Sequence, residues 1–271
     1  MKISIQKVYD KGSAKLNEDA LLIKDNIYAV FDGTTSLVSY LSEKGETGAK
    51  IASTIAKNEF SKNTGSLKDL AANANNKINE LMIKENIDTK DKLVCWSTCV
   101  AAIRLNDTEI EYLVVGDCFI LMIFEDNSSK LLVSYLNFDL ENIKEWKKLA
   151  DKKSDNIFEK LKPQIIKIRR NMNVTYGALN GEKEALNFFN YGKTSLKNIK
   201  SILLFTDGLL IPKEDPEEEE VWGLFVKIYQ KSGLKGLLRY VRDIEKKDPK
   251  CWKYPRYKQH DDATAIAIDF S

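Results

Sequence analysis

The stretch NIYAVFDGTTSLVS, residues 26–39, sets five consecutive apolar or aromatic residues, Ile27 to Phe31, directly against Asp32 and Gly33. A short apolar run closed by a turn residue reads as a buried strand. A carboxylate at the end of such a strand is costly to keep ionised unless something pairs with it. The question the stretch raises is what Asp32 faces.

The surroundings set the fold. Before it, ALLIK (residues 20–24) and IYAVF form two strands joined by Asp25-Asn26, a hairpin-type turn. Earlier still, Ile3 and Ile5 alternate with polar residues, again a strand period. After it the period changes. Ala49, Ile51, Ala52, Ile55, Ala56 and Phe60 recur at helical spacing. A second helix follows Gly65, with Ser66 as cap and Asp69 in the position of a capping box. Its apolar face is Leu67, Leu70, Ala74, Ile78, Leu81 and Met82. The two helices are expected to pack as a pair on one sheet.

Residues 93–136 return to strand: LVCWSTCVAAIRL, EIEYLVVG, CFILMIF and KLLVSYL, separated by short turn-like breaks that include Gly116-Asp117. Short breaks predict antiparallel neighbours. A charged helical stretch is expected over 140–161, an irregular Asn- and Gly-rich segment over 171–195, and a strand at SILLFT (201–206). Helices around 221–229 and 234–244 and a last strand at ATAIAIDF (263–270) complete the chain. Runs of strands interrupted by helical pairs are not the βαβα alternation of a parallel sheet, and they predict an α+β protein of antiparallel sheets covered by helices.

Composition bounds the function. The 271 residues are 43% hydrophobic and 30% charged, an ordinary globular profile. With 42 basic and 40 acidic residues, scattered rather than blocked, nothing argues for a nucleic-acid partner. No apolar segment reaches the ~20 residues of a membrane span, and the first residues lack a signal-peptide core. Cys95, Cys99, Cys118 and Cys251 form no CxxC pair and read as buried free thiols. A cytoplasmic location is expected.

Asp32 is one of several acids at strand margins. SILLFTDG ends at Asp207-Gly208, YLVVGD ends at Asp117, and Glu18-Asp19 and Asp261-Asp262 flank two further strands. Any one doublet reads equally as an exposed turn acid. Together, at the ends of the most apolar strands, they converge if those strands are neighbours. Clustered carboxylates disfavour one another's ionisation. The chain has a single histidine to offset them, and oxygen-only ligands suit Mg²⁺ or Mn²⁺. Haloacid-dehalogenase-type phosphatases also carry a strand ending in Asp-Gly-Thr, but their nucleophilic aspartate would fall at Val30 or Phe205, which excludes them.

In chain order, NEDA (17–20), VFDGTTS (30–36), ETGAKIAS (46–53), STCVAAIRL (97–105), YLVVGDCF (112–119), LLFTDGLL (203–210) and DDATAIAI (261–268) resemble the metal-dependent serine/threonine phosphatases of the PP2C (PPM) type. The resemblance runs from about residue 8 to the end. It implies one domain over residues 1–271: a four-layer αββα sandwich of two antiparallel sheets flanked by paired helices, with a variable flap segment at 171–193. It implies hydrolysis of phosphoserine and phosphothreonine esters of proteins by a water activated between two divalent cations, Mn²⁺ or Mg²⁺, with a third cation site as an option.

Residue by residue, the resemblance makes Asp32 the acid bridging two metals and Glu18 and the Gly33 carbonyl ligands of one. Asp207 and Asp261 become ligands of the other, Asp19 an acid holding water, and Asp117 a third-site ligand. Asp262 is secondary, and His260 orients the Asp261 loop. Two departures stand out. Thr34 occupies the position of a frequent histidine proton donor. Ala14 replaces a phosphate-binding arginine, leaving Lys15 as the candidate substrate contact. The expected partners are a phosphorylated protein substrate and a cognate kinase. A weakly active or inactive binding module of the same fold, or a phosphatase of small phosphorylated metabolites, are the alternatives.

Overall fold

The structure, a computed structural model, describes residues 2–270. Its core is two five-stranded antiparallel sheets. The first has the order β2 (Ala20–Lys24), β3 (Ile27–Gly33), β4 (Thr98–Leu105), β5 (Glu109–Val115) and β8 (Asn190–Ser195). The second has the order β1 (Ile3–Asp10), β10 (Ala263–Phe270), β9 (Ile199–Phe205), β6 (Phe119–Phe124) and β7 (Ser129–Leu131).

The Asp25-Asn26 turn follows from chemistry. It joins Lys24 to its partner Ile27, and Asp25 takes a φ of 52°, a conformation that Asp and Asn tolerate better than most residues. The apolar run of β3 is continuous because both its faces are covered. Tyr28 and Val30 point into the core between the sheets. Ile27, Ala29 and Phe31 point outward, into a core shared with α1 (Gly48–Phe60) and α2 (Leu67–Lys84). The predicted capping box is present in α2, with Ser66 and Asp69 bonding each other's backbone N–H.

Outside the second sheet lies α5 (Trp222–Lys246), whose halves are separated by Gly233 at φ 65° and ψ −172°, a conformation natural only to glycine. Gln6 Oε1 accepts from the Leu234 N–H just past the break. Both halves pack on the sheet, through Phe225 and Tyr229 before the kink and Leu234 and Leu237 after it. The layers are therefore helix pair, sheet, sheet and kinked helix. Among the described residues, no helix is long and apolar enough to cross a membrane.

Phe205, at the end of β9, stacks on Phe119 at 5.1 Å and meets Phe225 at 4.9 Å between ring centroids. Phe205→Ala would leave a cavity between sheet and helix. It is expected to cost about 3–5 kcal/mol, read as a lower urea midpoint with unchanged slope.

Several expectations change. Gly116-Asp117 is not a hairpin: β5 belongs to the first sheet and β6 to the second, so the chain changes sheets there. Gly116 has a φ of 78°, and its lack of a side chain admits the Cys99 thiol, which a Cβ would meet at 2.2 Å. Residues 93–97 are not strand, because β4 begins at Thr98, and KLLVSYL supplies only the short edge strand β7. The charged stretch after residue 140 is two helices, α3 (Leu140–Asp151) and α4 (Ile157–Arg170).

The variable segment expected at 171–193 is in large part a bonded connection. Leu179 bridges to Thr98, Met172, Asn173, Ala178 and Asn180 are buried, and the last residues enter β8. The side chains of Asn173, Asn180 and Glu182 bond one another, which gives the asparagines a structural use. The elements standing off the sandwich are instead α3 and α4, which share a small core with Cys251, Trp252 and Tyr257 of the C-terminal loop.

Candidate metal and phosphate site

Strand register gathers the acids. Asp32 continues the row of Tyr28 and Val30 that faces between the sheets, and it pairs with Cys99 on β4. Val115, at the end of β5, pairs with Val100, so Asp117 lies beyond the same end. In the second sheet, Phe119 and Ala265 both pair with Phe205. Asp207 and the Asp261-Asp262 doublet therefore leave that sheet at the matching edge. Asp32, Asp117, Asp207 and Asp261 line one cavity of about 500 Å³.

The two Asp-Gly pairs are explained by close approach. A Cβ on Gly33 would meet the Glu18 carbonyl oxygen at 2.3 Å, and one on Gly208 would meet the Asp262 carbonyl oxygen at 1.9 Å. Each Asp-Gly turn is thus laid against the backbone of one acidic doublet, which brings the four segments together.

The carboxylates are mutually strained by charge. Burial pushes the Asp32 carboxyl well above the ordinary range, and Asp207, Asp19, Asp117 and Asp261 push it further. Asp207 is raised in the same way by burial, Asp261 and Asp117, with a hydrogen bond to Asp32 partly opposing. Asp19 is pushed up to about 7, first by burial and then by Asp261 and Asp262, against Thr264 and Thr206. The Thr206 hydroxyl donates to Asp19 Oδ2 at 3.0 Å. Asp117 is raised by burial and Asp261, against the Cys99 thiol and Arg169.

The other expected residues take different places. Glu18 is buried with both carboxylate oxygens occupied, by the Thr35 hydroxyl at 2.6 Å and the Thr47 hydroxyl at 2.6 Å. Asp262 faces the backbone, accepting from the Gly12 N–H at 2.8 Å and the Glu18 N–H at 2.7 Å, and so clips the loop before β2 to the start of β10. Thr34 lines the cavity beside Asp32. Lys15 and Ala14 are exposed in the loop before β2, outside the cavity lining. His260 Nδ1 meets Glu245 Oε2 at 2.7 Å, and Glu245 also holds Arg242, whose Nη2 donates to the Asp261 carbonyl at 2.6 Å.

Three cavity residues were not found from the sequence. Lys258 Nζ pairs with Asp261 Oδ1 at 2.6 Å. Burial works against its charge, but Asp261, Asp207 and Asp32 outweigh burial and raise its pKa. Arg169, at the end of α4, donates to the Thr35 carbonyl at 3.1 Å. Asp139, which accepts from the Tyr257 hydroxyl at 2.8 Å, is pushed up to about 6, chiefly by burial. The local signals were a lysine three residues before Asp261 and the last turn of an amphipathic helix.

Among the described residues, no three or more His, Cys, Asp or Glu side chains are grouped closely enough to hold a metal ion as they stand. The chemistry of the donors nonetheless suits a hard cation. They are oxygens only and half-buried, with Asp19 fully buried, and acids outnumber the cations Lys258 and Arg169 around them.

The family model described as protein phosphatase 2C matches residues 12–239. Comparison with curated proteins finds no match. Among solved structures, the serine/threonine phosphatase PstP/Ppp of Mycobacterium tuberculosis aligns at a TM-score of 0.62 and 14% identity, covering 99% of each chain. The PstP catalytic domain in complex with two manganese ions aligns at 0.61 and 15% identity, covering 98% of this chain and 97% of that one. The serine/threonine phosphatase Stp1 of Staphylococcus aureus aligns at 0.64 and 14% identity, covering 100% and 96%.

Proposed function

Because this chain belongs to the protein phosphatase 2C family, we propose that it is a metal-dependent phosphomonoesterase acting on phosphoserine and phosphothreonine of proteins. The observation that carries the reading is the convergence of Asp32, Asp117, Asp207 and Asp261, from four separate segments, on one cavity, with the ionisation of Asp32, Asp117 and Asp207 suppressed. Buried acids assembled at such a cost call for cations. The manganese-bound PstP neighbour has the same fold and supports the same cofactor class.

In this reading Asp32, Asp207, Asp261 and the Gly33 carbonyl hold two divalent cations, Mn²⁺ or Mg²⁺, and Asp117 serves a third. Glu18, fixed by Thr35 and Thr47, backs Gly33 from outside the cavity lining. Cations bound there would supply Lewis acidity toward the phosphoryl oxygens and a nucleophilic water at neutral pH. Asp19, held by Thr206, would serve as a proton acceptor beside the cluster. Thr34 and Arg169 stand on the cavity wall, where a hydroxyl and a guanidinium can orient a phosphate ester. Lys15 would reach substrate only from outside the cavity. The substrate is a phosphorylated protein segment, and a kinase with the same target is the natural partner.

Turnover of p-nitrophenyl phosphate and of phosphoserine and phosphothreonine peptides with millimolar Mn²⁺, abolished by chelator, tests the reading. A pure, folded protein with no turnover on any of these substrates would overturn it. The exposed Ala14 and the threonine at position 34 favour a second reading, a non-catalytic binding module. Phosphopeptide binding without hydrolysis would select it.

A further inference from the structure

Lys258 lies in the irregular loop before β10, on the wall shared by the 500 Å³ cavity and a neighbouring one of about 200 Å³. Its ammonium is in direct contact with the acid cluster, whereas the guanidinium of Arg169, on the same cavity wall, donates to the Thr35 carbonyl. Other basic groups nearby are committed elsewhere: Arg256 to Asp248, Lys213 to Glu220, and Arg242 to Asp10 and Glu245.

The acid it meets is fixed while the lysine is not. Asp261 is held through its carbonyl by Arg242, and its Oδ1 accepts from the Asp262 N–H at 2.8 Å. The Lys258 side chain is 36% exposed and, among the described residues, its Nζ pairs with Asp261 alone. An ammonium 2.6 Å from a carboxylate oxygen and a divalent ion on that carboxylate repel each other, so the two compete for Asp261. Lysine is a compact charge on a flexible four-carbon stem, suited to moving aside. The cavity gives it room, and the group of opposite charge that enters that cavity is the substrate's phosphoryl dianion.

We propose that Lys258 is an exchangeable cation of the site, paired with Asp261 until a divalent ion takes that carboxylate and then turned onto the phosphoryl group of the substrate. The inference rests on the phosphatase reading. It adds to Thr34 and Arg169 a further phosphate contact inside the cavity, which the exposed Ala14 and Lys15 do not provide.

The test is calorimetric and needs no turnover. Mg²⁺ is titrated into the chelator-treated full chain as wild type, Lys258→Met and Lys258→Arg, with thermal melts showing that each is folded. Lys258→Met is expected to bind Mg²⁺ about three- to tenfold more tightly than wild type, because the competitor is gone, and Lys258→Arg to stay within about twofold. Inorganic phosphate titrated into the Mg²⁺-saturated proteins is expected to bind Lys258→Met at least about fivefold more weakly. Equal Mg²⁺ affinity in wild type and Lys258→Met would overturn the exchange. Equal phosphate affinity would overturn the phosphate contact. Should Lys258→Met not fold, Lys258→Gln carries the same comparison. A wild type that binds no Mg²⁺ would instead sink the metal-dependent reading itself.

Discussion

Asp32→Asn is expected to lower kcat for phosphoester hydrolysis by about a thousandfold or more while leaving the protein folded. The fold should survive because what Asp32 gives the sheet is its backbone. It pairs with Cys99, and its carbonyl accepts from the Thr98 hydroxyl at 2.7 Å. Asparagine keeps the size and both backbone roles. The site should not survive, because Asp32 is the carboxylate facing Asp207, Asp19, Asp117 and Asp261 together. Removing its charge withdraws a ligand from the centre of the cluster. Steady-state kinetics with saturating Mn²⁺, run beside a thermal melt, checks both halves. A folded Asp32→Asn protein with a tenth or more of wild-type kcat would show that Asp32 does not carry the chemistry.

The second large effect concerns pH and metal together. In chelator, the folded chain keeps a proton on Asp19 up to about pH 7 and on Asp139 up to about pH 6. The unfolded chain releases both near the ordinary aspartate value. The folded state therefore binds more protons than the unfolded one between about pH 4 and pH 7, and stability falls as pH rises through that window. The stabilisation is fully present below the unfolded value and lost above the folded one. Asp32 and Asp207, raised well above the ordinary range, extend the decline upward. The chelated protein is expected to lose roughly 5 °C or more of Tm between pH 5 and pH 8. Millimolar Mg²⁺ at pH 8 should restore it, by about 2.7 kcal/mol at a hundredfold excess over Kd. A Tm independent of pH in chelator would mean that the carboxylates are already neutralised by the protein.

Local chemistry made much of the fold legible. The Asp25-Asn26 turn, the Ser66–Asp69 capping box, the helical period of α1 and the break at Gly233 are each decided within a few residues. Sheet membership was not legible. Gly116-Asp117-Cys118 reads as a tight turn in both cases, and only the packing of β6 against β9 shows that the chain has changed sheets. For the site, the acidic doublets were visible because carboxylates at apolar strand ends are chemically anomalous. Lys258, Arg169 and Asp139 were not, since a lysine in a loop, an arginine at a helix end and an aspartate before a helix are ordinary anywhere on a surface. Their importance comes from the tertiary placement of the 251–262 loop and of α4 against the cavity. Glu18 shows the converse: its motif was plain, but the two threonine hydroxyls that hold its carboxylate come from positions 35 and 47, beyond any local pattern.

The pairing of β1 with β10, Ile3 opposite Phe270, has a consequence for how the molecule comes into being. The second sheet joins the first strand of the chain to the last, and the acids divide likewise, Asp19 and Asp32 from one end and Asp207 and Asp261 from the other. During synthesis, β1 finds its partner only once β10 has been made, and until then β9, on the far side of the place β10 will take, keeps one edge bare. Contacts so remote in sequence make for slow closure and a long interval of exposed strand edges. The growing chain can complete the helix-covered first sheet no earlier than β8. It cannot assemble the acid cluster until β10 has docked, so the four acids meet only in a late step.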